Sequence, residues 1–303
     1  AWEAATQPGR SLLVALADGD PVWAGIVLTR RGGSAETLTL GCATPEAYLD
    51  RRYTRDHVWT ERDESSVIAA GLIGDVMVDG IALTVDAPPT GTLRTRTYKD
   101  ADDATVLSRL QELMDVQGGP EWTIDVRWAD SSRTRVELVA RVRRRIGGPS
   151  GAVFVLPGDV VSYELLESYE AGRGANVTLA RGNGEGDTRA SSAEMVDAEL
   201  IAAGMPRWEH RWTPSTSLTS QDVLDGHATH MLELMRLGTQ VWTMTAVAHE
   251  APRLGRDWRL GDDVTLHVLS SPRHPGGVLV TARAWAWEWD VLGGRISPIL
   301  AED

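Results

Sequence analysis

Near its C-terminus the chain reads RAWAWEWDV from Arg283, with Trp285, Trp287 and Trp289 at every second position. Alternate residues of a β-strand share a face, so this spacing predicts a strand that gathers three indole rings on one side. Each ring brings about 150–250 Å² of surface. At about 25 cal/mol per Å², its burial contributes at most roughly 4–6 kcal/mol. Left in water, the row forgoes most of that, so the strand requires cover: a packed core, another subunit or a bound sugar. Leu279 and Thr281 extend the same predicted face as an apolar strip, which favours core or interface over sugar stacking. Glu288 and Asp290 are expected on the opposite face, toward solvent or a lumen.

The same alternation, punctuated by turn residues, recurs along the chain. SLLVALADG, PVWAGIVLTRR and ETLTLGCA, within residues 11–43, read as strands of a meander or small barrel. A polar crossing, PEAYLDRRYTRDHVW, leads to DESSVIAAGLIGDVM, whose Val67, Ile68, Leu72, Ile73 and Val76 form a helical stripe capped by Asp63 or Ser65. GIALTVDA and TLRTRTYKD read as strands. DDATVLSRLQELMDVQGG is a helix with Val106, Leu107, Leu110, Leu113 and Met114 apolar and glycines past its end. EWTIDVRWAD, TRVELVARVRRRIG, AVFVL, DVVSYELLESYE and ANVTLARG read as strands. SSAEMVDAELIAAG is predicted as a helix opened by a Ser191–Glu194 capping box, and TSQDVLDGHATHMLELMRLG as a longer one with Val223, Leu224, Met231, Leu234 and Met235 inward.

This pattern predicts a β-rich α+β chain. Residues 1–60 form a β-barrel-like domain, 61–156 an α+β domain with two helices on a sheet, and 157–184 connecting strands. Residues 185–238 form a helical insertion, and 239–303 a second β-barrel-like domain.

A formal charge of −13 over 303 residues argues against binding a nucleic-acid backbone. The one basic cluster, RVRRR at 141–145, ends a strand-like run and reads as a solvated strand end or partner contact. Arginine outnumbers lysine 29 to 1, which suits fixed contacts at interfaces. Twelve tryptophans against one phenylalanine make indoles the main aromatic packing units, with Trp23 and Trp242 joining the C-terminal row as expected core or interface residues. The lone Cys42 excludes an internal disulfide and reads as a small, inert thiol at a strand end. No apolar run reaches the length of a membrane span. The opening AWEAATQPGR lacks the features of a secretory signal, so the NVT acceptor triplet at 176–178 carries no weight.

Motifs that carry chemistry fail on detail. RGNGEGDTRASSAEM resembles a dinucleotide loop, but Asp187 stands where the third glycine belongs and Glu185 would repel phosphate. His227 and His230 sit three residues apart on a predicted helix, with Glu233 beside them and His249–Glu250 further on. No HExxH spacing or second cysteine completes a zinc site. The carboxylates show no pair assigned to a sugar, and no Gly-x-Ser-x-Gly elbow occurs. The expectation is no cofactor, no metal and no enzymatic activity.

DGDPVWAGIVLTRR followed by ETLTLGCATPEAYLDRRY resembles the opening domain of minor tail proteins, the baseplate-hub components of long-tailed phages, especially those of actinobacteria. DESSVIAAGLIGD, GRGANVTLARGNGEGD and DWRLGDDVTLHV fall in the order of that family. The resemblance implies a structural virion protein at the tail tip, assembled in the host cytoplasm. It implies a homotrimeric hub in which each subunit contributes two tube-type β-domains to a pseudo-sixfold ring. Its implied partners are the distal tail protein, other tail-tip proteins and the tape-measure protein, with DNA passing through the ring without specific binding. The alternative is a carbohydrate-binding module using exposed tryptophans, and behind it a glycan hydrolase.

Overall fold

Short apolar runs bounded by residues that accept positive φ become strands joined by tight turns. In a computed structural model of the chain, which describes residues 2–34, 36–214 and 218–301, they gather into two units.

The first unit comprises Ala1–Met114 and Gly119–Arg144. After a helical turn, α1 (Trp2–Ala5), strands β1 (Leu12–Ala17), β2 (Asp20–Arg31) and β3 (Thr39–Ala43) form an antiparallel meander. Asp18 and Gly19, at φ 51° and 86°, make the two-residue turn between β1 and β2; such a turn needs positive φ at both positions. Then come α2 (Glu46–Leu49), β4 (His57–Asp63), a π-helical turn over Glu64–Ala69, α3 (Ala70–Met77), β5 (Thr84–Asp86), β6 (Leu93–Tyr98) and α4 (Val106–Met114). β7 (Glu121–Trp128) and β8 (Val136–Arg143) close the unit. β4 pairs with β6, while β8 lies between β7 and a parallel β5.

The helical stripes meet largely as the sequence predicts, except that Val67 and, on the later long helix, Leu234 face solvent, each at the edge of its apolar stripe. Ile68, Leu72, Ile73 and Val76 pack with Val106, Leu110 and Leu113 over Tyr98, Ile124 and Val142. Asp63 caps the first helix, accepting the amides of Ser65 and Ser66 at 3.1 and 2.8 Å. Burial pushes its carboxyl upward, but bonds from Ser66, Gly91 and Ser65 outweigh this and hold it below the usual aspartate range. Two buried ion pairs thread the core: Glu64 with Arg94, and Arg109 with Glu112 at 2.7 Å.

The second unit comprises Asp115–Gly118 and Arg145–Asp303. Its elements are β9 (Pro149–Leu156), β10 (Val160–Ser168), β11 (Val177–Ala180), β12 (Met195–Val196), α5 (Ala198–Ala202), β13 (Glu209–Trp212) and α6 (Gln221–Met235). These are followed by β14 (Thr239–Val247), β15 (Asp263–Val268), β16 (Val278–Asp290) and β17 (Arg295–Ala301). A six-stranded sheet runs β10-β14-β17-β16-β15-β9. Its inner face buries Phe154, Met244, Trp258, Val264, Leu266 and Leu300. Phe154 meets Trp258 edge to face, with centroids 6.1 Å apart. The small sheet β12-β11-β13 packs on α6, where Thr178 donates to the Ala228 carbonyl at 2.7 Å.

Neither expected barrel closes. Followed around the large sheet, the ladders give its edge strands β9 and β10 the same sense. A parallel pair needs a crossover of about a dozen residues or more, whereas residues 157–159 are the whole connection. The sheet therefore stays open. The loop between β15 and β16 clasps it instead: Tyr163 on β10 shares hydrogen bonds of 2.6 Å with Ser271 and His274, and Arg273 donates to the Leu165 carbonyl.

Two further differences have local causes. The helix expected from Ser191 begins at Ala198, capped by Asp197. Ser192 is held at β11, where its hydroxyl accepts the Ala180 amide at 3.0 Å, so the Ser191–Glu194 box does not form. The chain also divides near residue 144, where the sequence expectation placed a boundary at 156. β9 pairs in parallel with β15, more than a hundred residues away, and local periodicity carries no trace of that pairing.

Candidate interaction surfaces

Strand β16 resolves the question of the tryptophan row. The register against β17 slips between Ala284 and Ala286, leaving Trp285 as the extra residue of a β-bulge. A one-residue slip exchanges faces. Ala284 lies opposite buried Leu300, whereas beyond the bulge Trp287 and Trp289 lie opposite buried Pro298 and Ile296. Trp287 and Trp289 are therefore half-buried on the inner side, and Trp285 points outward at 43% exposure. The expectation that all three share a face is corrected by the bulge, which strict alternation cannot reveal. Glu288 and Asp290 are exposed.

Trp285 covers Arg283, whose guanidinium lies 4.1 Å from the ring centroid. Arg283 is buried and donates to the carbonyls of Ile146 (2.7 Å) and Gly261 (3.2 Å), pinning two loops to the strand. Gly261 has φ +88°, and a Cβ there would lie 2.6 Å from the Ile146 oxygen, so the approach requires glycine. Trp242 is buried and stacks on Tyr163 and His274. Trp23 is half-buried and lies flat over Gly25, where a Cβ would fall 2.2 Å from the ring.

The remaining candidates are absorbed by structure. His227 is fully buried and donates from Nδ1 to the Asp115 carbonyl at 2.9 Å. Among the described residues no three His, Cys, Asp or Glu side chains, those around His230 and Glu233 included, are grouped to hold a metal. Gly184 and Gly186 take positive φ in a loop far short of the next α-helix. Burial pushes the Cys42 thiol up, away from a reactive thiolate. In the basic cluster, Arg141 pairs with Asp125, Arg143 with Asp86 and Arg145 with Asp263, each at 2.6 Å. His57 pairs with Asp75 at 2.8 Å and stacks on Trp59.

Two surface features escaped sequence reasoning. The first unit holds a cleft of about 1020 Å³, whose lining includes Leu12, Ile26, Leu28, Ile81 and Leu138. Arg10, Arg51 and Arg135 stand on its walls, exposed and without an ion pair among the described residues. In the second unit, the turn between β16 and β17 presents Val291 and Leu292, 65% and 101% exposed. The only signal in the sequence was an apolar pair inside a turn closed by Gly293 and Gly294. The cleft had none, because its walls come from segments distant in the chain.

No family model matches the chain, and no curated protein matches it. Among solved structures, it is similar to the 43 kDa tail protein of prophage MuSo2 from Shewanella oneidensis, at TM-score 0.57 and 13% identity, over 95% of this chain and 81% of that one. The tail protein from Neisseria meningitidis aligns at TM-score 0.53 and 14% identity, over 95% and 82%. Prophage tail protein gp18 from Listeria monocytogenes aligns at 0.52 and 10%, over 95% and 78%. The chain has a phage tail-protein fold. It is β-rich α+β, and among the described residues no helix is long and apolar enough to cross a membrane.

Proposed function

We propose that this chain is a structural protein of a phage virion, a hub subunit at the tail tip that assembles as a trimeric ring joining the tail tube to the host-binding apparatus. The observation that carries the reading is the likeness to three tail proteins over 95% of the chain, because it spans both units and their order. The acidic balance supports a passage through which DNA slides without adhering. Ring neighbours would be the distal tail and tape-measure proteins. The role is mechanical, with no reaction assigned to any residue. A glycan platform fits less well, since the bulge at Trp285 divides the indoles between two faces. Electron microscopy of the purified protein tests the proposal: particles with threefold symmetry around a central opening support it, and single-chain particles at all concentrations overturn it.

A further inference from the structure

The geometry points to a head-to-tail contact in which the β16–β17 turn of one copy enters the first-unit cleft of the next. The inference rests on the ring-forming reading above and names the contact that would build the ring.

Leu292 is fully exposed, the most open of the large apolar side chains among the described residues, and its neighbour Val291 is 65% exposed. The turn that presents them is held in shape. Asp290 accepts the Gly293 amide at 2.8 Å, and a side chain at Gly293 would lie 2.1 Å from the Asp290 carboxylate. A turn so constrained loses little freedom on docking, which favours association. Leu292 is open to solvent in its own chain, so it is free to enter a second copy.

The cleft offers the complementary chemistry. Its lining includes Leu12, Ile26, Leu28, Ile81 and Leu138, and at about 1020 Å³ the cleft exceeds what two side chains need and admits the whole turn. Glu137 in its lining is paired with Arg127 and also feels Arg135, so three arginines, Arg10, Arg51 and Arg135, share the cleft with two carboxylates, Asp50 and Glu137. Three arginines around one cleft, none in an ion pair among the described residues, stand out on a chain of charge −13. The turn carries the opposite sign: among the described residues Glu288 and Asp290 make no ion pair, and with Arg295 across the strand the turn keeps a net negative charge. An apolar knob flanked by carboxylates thus matches an apolar cleft walled by arginines. Because knob and cleft are different surfaces, the contact is heterologous, the kind that closes into rings when the rotation permits.

Sedimentation velocity of the full chain over a range of concentrations tests this with Leu292→Asp, and separately with Arg51→Glu combined with Arg135→Glu. All three positions are at the surface, and unchanged circular dichroism melting verifies folding. Each variant is expected to weaken self-association at least tenfold. An equimolar mixture should recover dimers and nothing larger, because one variant retains the cleft and the other the turn. If either variant assembles like the parent, the contact is wrong and the ring reading stands. If both fail alone and the mixture yields no dimer, turn and cleft do not meet. A parent that stays monomeric at every concentration overturns the contact and the ring together.

Discussion

The two units bury comparable apolar material in opposite ways. The second spreads six strands into one coiled sheet and fills its inner face with large rings, Phe154 against Trp258 and Trp242 against Tyr163. The first divides its strands among small sheets and packs two helices between them, leaving buried charges paired in the core and a cleft at the surface. A single wide sheet closes over its contents when a loop clasps it, as Tyr163 and His274 do. Several small sheets meet at angles and leave gaps. The difference places the apolar cleft in one unit and the projecting turn in the other.

The comparison breaks most visibly in the aromatic core. Phe154→Ala, a fully buried site, is expected to cost about 3–5 kcal/mol in chemical denaturation. A loss under about 1 kcal/mol would mean that the rings do not fill the sheet. In the first unit, Arg109→Ala leaves Glu112 charged and uncompensated, for an expected loss of about 3–5 kcal/mol. Arg109→Met combined with Glu112→Leu should recover most of it, because breaking such a pair costs more than replacing it. A double variant as unstable as the single one would show that the pair itself holds the helix.

Smaller effects sharpen the contrast. Asp63→Ala removes a helix cap and should cost about 0.5–2 kcal/mol. Because the native carboxyl is held below its unfolded value, its contribution is present above about pH 4 and is lost as pH falls through the native value. The gap between parent and variant should accordingly narrow in acid, and a gap constant down to pH 2 would contradict the assignment. Trp285→Ala should cost the least, about 0.5–1 kcal/mol, since the ring is largely open and contributes mainly its contact with Arg283. A loss as large as that of Phe154→Ala would place Trp285 inside the sheet and remove the bulge.

Much of this was legible from local pattern. The helical stripes at Ile68–Val76 and Val106–Leu113 follow a 3.6-residue period and pack as read. The Asp63 cap and the meander of β1 to β3 follow from turn and cap chemistry. What stayed hidden was non-local. The pairing of β9 with β15 joins distant segments, and β13 and β17 are short or irregular in composition. The Trp285 bulge depends on β17, which forces one extra residue into β16. Ser191 resembled a helix start because its hydroxyl suits a cap, yet that hydroxyl donates to the Ser192 carbonyl while β11 holds Ser192. For the interaction surfaces, identity of residue was visible and placement was not: Arg10, Arg51 and Arg135 are scattered in sequence and converge only in the fold.

On the proposed reading three copies of this chain form a ring, and the mass in solution reports that state. Native mass spectrometry of the purified protein should give a dominant species at three times the 32.9 kDa of one chain. A single-chain mass that persists as concentration rises would contradict that reading.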